Sequence, residues 1–110
     1  MHRSSAPLIV GFAQIAPVWL NRRATLEKVV SAIHEAAGLG GQVVGFGECL
    51  VPGYPFWIEP TDGARFNDPH QKELHAEYLR QAVTIEDDHL RSVQEACAER
   101  KIMAVLGVLE

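Results

Sequence analysis

Cysteine is scarce: only two occur in 110 residues, Cys49 and Cys97. That is too few for the disulfide framework of a small secreted domain, and they lack the paired spacing of a zinc site. Basic residues are also short, with 10 Lys and Arg against 14 Asp and Glu and a net charge of −4 with histidine neutral. No Lys/Arg stripe interleaves with aromatics, so the electrostatic footprint of a nucleic-acid or anionic-membrane binder is missing. No apolar run is long enough to span a bilayer. The main one, from Leu8 to Ala16, is interrupted by Gly11 and Gln14 and runs into Pro17. β-branched residues entering a Gln and a Pro suit a buried first strand better than a signal-peptide core, which makes the cytoplasm the expected compartment. His2, His34, His70, His75 and His89 offer no pair at i and i+4 with a partner carboxylate, so no metal or other cofactor is expected. Ser4, Ser5, Ser31 and Ser92 lie in no nucleophile-elbow context.

What is present has the proportions of a globular protein, with 47% hydrophobic and 22% charged residues. Residues 8–15 read as a strand covered on both faces. Asn21 is a plausible N-cap, followed by Leu26, Val29, Val30, Ile33, Ala36 and Ala37 at helical spacing, with Glu27, Lys28, Ser31 and Glu35 opposite. Gly38, Gly40 and Gly41 stop that helix, and Val43–Phe46 forms a second strand. Strand, helix, strand favours parallel pairing with a right-handed crossover. Residues 51–69 read as a long ordered loop rich in Pro, Gly and aromatics. A helix over 70–82 is expected to turn Leu74, Tyr78, Leu79 and Ala82 to one side. Thr84-Ile85-Glu86-Asp87 fits a capping box opening another helix. That helix is expected to bury Leu90, Val93, Ala96 and Cys97. Ile102 to Val108 reads as a third buried strand, and the chain stops soon afterwards at Glu110. The fold class is α/β, one folding unit that looks cut short.

The second strand leads straight into Phe46-Gly47-Glu48-Cys49-Leu50-Val51-Pro52-Gly53-Tyr54-Pro55-Phe56-Trp57. A carboxylate at a strand's carboxyl end stands where open α/β sheets gather ligands. Pro52 and Pro55 stiffen the following turn and Gly53 permits it. The neighbouring aromatics are expected to exclude water and to raise a carboxyl pKa, as a general base or acid needs. The bland alternative is a surface Glu beside a structural turn.

This segment resembles the signature around the first catalytic residue of the nitrilase superfamily of carbon–nitrogen hydrolases. Ala13-Gln14 with Ala16-Pro17, the helix beginning near Asn21, and Val105-Leu106-Gly107-Val108 leading to Glu110 are similar to the family in the same order. The Pro-Gly-Tyr-Pro-aromatic version resembles the nitrile-hydrolysing branch most. The resemblance implies that residues 1–110 are the N-terminal part of one α-β-β-α sandwich domain. It also implies a Glu-Lys-Cys triad in which Glu48 is the general base, with Glu110 in support. Tyr54, Phe56 and Trp57 are candidates for shaping the pocket of a small nitrile or amide. Gly47 departs from the family, which often has proline there. The family's lysine and cysteine lie beyond these residues, and none of Lys28, Lys72 and Lys101 sits in the lysine's context. Cys49 is not the nucleophile, since on a strand-like backbone it faces away from Glu48. Alone, the 110 residues are expected to be inert; at full length the protein is expected to be a homo-oligomer. The rival readings are an amidase or N-carbamoyl hydrolase with the same triad, and a non-catalytic module that only associates with a partner.

Overall fold

The apolar run near the amino end forms strand β1, Val10–Ala13, in a computed structural model that describes residues 6–110. His2, Ser4 and Ser5 lie outside the described residues. Helix α1, Arg22–Gly38, opens where expected: the Asn21 side chain accepts a hydrogen bond from the Ala24 amide. Strand β2, Val43–Phe46, follows, then helices α2, Pro69–Arg80, and α3, Arg91–Arg100, and strand β3, Met103–Val105. The sheet has the order β1-β2-β3 and is parallel throughout.

Register decides which side chains share a face. Val10, Val43 and Met103 form one cross-strand row and Phe12, Gly45 and Val105 the next, both on the same side. The intervening residues, such as Val44 and Ala104, turn toward the helices. There Leu26, Val29 and Ile33 of α1 join Val44, Val93 and Ala96 of α3, and Ile102 in the core, with Leu50, Val51 and Val83 closing its end. Thr25 is buried as well, because its hydroxyl donates to the Val18 carbonyl (3.0 Å) and accepts from the Val18 amide (3.1 Å).

The expectation of strands covered on both faces needs correction. Helices cover one face only, and on the other Val10, Phe12, Met103 and Val105 are exposed, Phe12 by 83%. The Thr84–Asp87 box does not open a helix either. The Thr84 hydroxyl donates to the Asp87 carboxylate (2.7 Å), Asp88 adopts a left-handed φ of 58°, and residues 85–90 form turns before α3 begins. α3 does bury Val93 and Ala96, with Leu90 and Cys97 half-buried beside them. Leu79 is exposed, because α2 packs through Gln71, Leu74 and Tyr78, and the next position points about 100° away. Among the described residues no helix is long and apolar enough to cross a membrane.

Candidate active site

Parallel pairing of β1 and β2 places their carboxyl ends side by side. Residues 14–20, after β1, therefore adjoin residues 47–57, after β2. The Leu20 amide donates to the Pro52 carbonyl (3.1 Å) and the Gly53 amide to the Cys49 carbonyl (3.0 Å). Gly53 is required twice over: its φ of 131° is open to glycine, and an added Cβ would meet Trp19 Cδ1 at 2.5 Å. The Val51–Pro52 peptide is cis.

From α2, Tyr78 reaches under this turn. Its hydroxyl donates to the Gly53 carbonyl at 2.8 Å in a buried setting. Burial first, then the neighbouring Cys49 thiol, pushes that hydroxyl from 10.0 up to about 12. Around it the rings interlock. Trp57 lies 4.9 Å from Tyr78, 5.4 Å from His75 and 5.7 Å from Trp19, and Trp19 lies 4.6 Å from Phe56. Tilted and edge-on pairs at these spacings are favourable beyond their buried area.

Glu48 stands in the turn immediately after β2, with its side chain exposed. Among the described residues nothing hydrogen-bonds its carboxylate, and the expected apolar cover is not supplied by them. Tyr54 and Phe56 are exposed by 59% and 58%, whereas Trp57 is buried at 3%. The first two therefore lie at the surface, and Trp57 lies inside the ring cluster. Cys49 is half-buried, but the reason differs from the one expected. Its backbone is not strand-like; φ is 50°, and the left-handed turn takes its thiol toward Tyr78 while Glu48 points to solvent. Cys97 is packed between α3 and the sheet, and burial pushes its thiol up, which disfavours a nucleophilic thiolate.

Lys28 bonds the Ala16 carbonyl, Lys72 is exposed on α2, and Lys101 caps α3 in a left-handed conformation. None is shown beside Glu48. Among the described residues no three His, Cys, Asp or Glu side chains gather as a metal site requires. The sequence reading missed Trp19, His75 and Tyr78 as supports of the loop. For Trp19 a signal existed: a tryptophan just before a helix N-cap, following a strand that must lie next to β2.

A parallel sheet flanked by helices, with an exposed carboxylate just after a strand's carboxyl end and an aromatic loop following it, defines the class as an α/β protein. The carbon–nitrogen hydrolase family profile matches residues 9–110, and the chain belongs to that family. It is 37% identical over 101 residues to an arylacetonitrilase of Aspergillus oryzae, covering 92% of this chain and 28% of that protein. An arylacetonitrilase of Aspergillus niger is 38% identical over 109 residues, 97% of this chain and 30% of the relative. A protein named Nitrilase 2, from an unknown prokaryotic organism, is 34% identical over 101 residues, covering 92% and 31%. The chain thus spans 28% to 31% of the length of these curated relatives.

Proposed function

We propose that this chain supplies the general base and part of the substrate wall of a nitrilase converting a small nitrile to a carboxylic acid and ammonia. The observation that carries the reading is Glu48: an exposed carboxylate just after the carboxyl end of β2, in the segment that runs on into the aromatic loop with Tyr54 and Phe56. Relatives named arylacetonitrilase favour a nitrile bearing an aromatic group. In this reading the lysine and cysteine of the triad come from sequence beyond the 110 residues. The cysteine thiol loses its proton to Glu48 and its sulfur attacks the nitrile carbon, giving a thioimidate once the nitrogen is protonated. Glu48 then activates water, ammonia leaves, and a thioester remains. A second water, again deprotonated by Glu48, releases the acid and restores the thiol. The lysine stabilises charge developing on the tetrahedral species.

The open apolar sheet face fits the inner layer of an α-β-β-α sandwich, completed by the rest of the protein. Such cover would also provide the drier surroundings that a base beside aromatics requires. The protein is proposed to act as a homo-oligomer. An amidase or N-carbamoyl hydrolase would use the same base, and ammonia release from an arylacetonitrile against the matching amide separates the readings. In the intact protein, Glu48→Gln is expected to lower turnover by at least about 10³-fold with the thermal midpoint unchanged, since a general base alone contributes about 10²–10⁴-fold and here serves three proton transfers. Turnover near wild type in that variant would remove the assignment.

A further inference from the structure

The turn that carries Glu48 does not end β2 in open space; it lies across the chain that follows β3. A Cβ added at Gly107 would come within 2.7 Å of the Gly47 carbonyl oxygen, 2.9 Å of the Cys49 amide nitrogen and 3.2 Å of the Glu48 Cα. All three are backbone atoms, so no side chain can rotate to relieve the overlap. At Gly47, by contrast, an added Cβ would meet nothing within 4 Å. Gly107 is not among the glycines with positive φ, so the demand there is for space rather than for an unusual backbone conformation.

The same stretch is held from both sides. The Val51 amide donates to the Gly107 carbonyl (3.4 Å) and the Leu109 amide to the Val51 carbonyl (2.9 Å), forming a parallel bridge between Val51 and Val108. The Val83 amide donates to the Leu109 carbonyl at 2.7 Å. Residues 107–109 therefore form a fixed rail, to which Val51 is hydrogen-bonded and against which the 47–49 backbone packs at Gly107. Glu48 lies between the end of β2 and the Val51 anchor.

We propose that Gly107 is a positioning residue for Glu48. By having no side chain it lets the 47–49 backbone seat directly on the rail, which sets where the carboxylate stands. The inference rests on the reading of Glu48 as general base. An alanine methyl at 107 must push the 47–49 backbone back by roughly 0.5–1 Å, and a misplacement of about 1 Å can cost about 10²-fold in rate.

The test measures kcat, KM and thermal midpoint for Gly107→Ala and Gly107→Ser in the intact protein, with Glu48→Gln alongside. Gly107→Ala is expected to fold and to lose about 30- to 100-fold in kcat with KM within about threefold, the pattern of a loss confined to the transition state. Gly107→Ser is expected to lose at least as much. Wild-type kcat in Gly107→Ala, where Glu48→Gln is inactive, overturns this inference and leaves the base reading standing. A loss carried by KM alone also overturns it. So does failure of both variants to fold, since the glycine then serves the fold rather than the carboxylate. An active Glu48→Gln removes the base and the inference with it.

Discussion

Tyr78 joins an α2 side chain to the backbone of the turn after Glu48, and its hydroxyl proton is what makes the connection. The hydroxyl donates to the Gly53 carbonyl at 2.8 Å, and the phenolate could not. Because burial and the Cys49 thiol raise its pKa from 10.0 to about 12, the fold favours the protonated form. The stabilisation is therefore complete below the unfolded value and is lost as pH rises through the window from 10.0 to about 12. Two results follow for denaturation of the intact protein. Near about pH 8, Tyr78→Phe should be less stable by about 1–3 kcal/mol, because it leaves a buried carbonyl without its donor. Between the two pKa values wild type should lose stability faster than Tyr78→Phe, so the curves converge. Parallel curves across that window would mean that Tyr78 is not the titrating group. At this same scale the sequence was informative about Glu48 and the aromatic loop, since rigid turn residues after a strand are a local pattern. It did not reveal the Tyr78–Gly53 hydrogen bond or the close approach of the 47–49 backbone to Gly107, since both are contacts between residues 25 or more positions apart.

The helices differ in what specifies them, and that difference explains which were legible. α1 has a side-chain cap at Asn21 and a clear apolar stripe, and both were readable because they are local. The opening of α3 was misread because the Thr84 hydroxyl turned to the Asp87 side chain, a choice that sequence spacing does not reveal. α2 was placed correctly within a residue or two, but its buried side includes the polar Gln71, whose amide donates to the Thr61 carbonyl (2.8 Å) and hydroxyl (2.7 Å) in the loop. Its end is held by Arg22 of α1. That guanidinium donates to the carbonyls of Arg80 (3.0 Å) and Ala82 (2.8 Å), and the Arg22 amide donates to the Gln81 side chain (3.0 Å). A cation on the last carbonyls of a helix satisfies orphan acceptors and opposes the helix dipole favourably. Arg22→Leu is expected to destabilise the intact protein by about 1.5–3 kcal/mol, the range for hydrogen bonds to a charged group. Arg22→Lys should recover only part, because both carbonyls accept from the one nitrogen Nη1 and the shorter lysine stem does not bring its ammonium to that point without strain. Equal melting temperatures for wild type and Arg22→Leu would show the clasp to be energetically idle.

For the molecule as a whole, the decisive feature is the sheet with one face covered. The radius of gyration is 17.0 Å, against about 13 Å for a compact domain of this length. Continuous apolar runs were read as strands buried on both sides, and the runs are present, but the described residues provide layers for only one. The apolar pattern of β1 and β3 thus leaves Val10, Phe12, Met103 and Val105 on an open face. Phe12 separates the possibilities, since it is 83% exposed, with its ring over Gly45. If that face stays open in the intact protein, Phe12→Ala is a surface change worth within about 0.5 kcal/mol. If a second layer packs on it, the same change removes a buried aromatic and costs about 3–5 kcal/mol. The sandwich reading predicts the larger loss in the intact protein. In the 110-residue chain expressed alone, it predicts self-association that Phe12→Asp with Val105→Lys reduces, because an open apolar face and two free strand edges otherwise pair with other copies. Chemical denaturation of the intact variant and sedimentation of the short chain measure the two effects. An unchanged stability for Phe12→Ala in the intact protein would leave the face open and remove the sandwich.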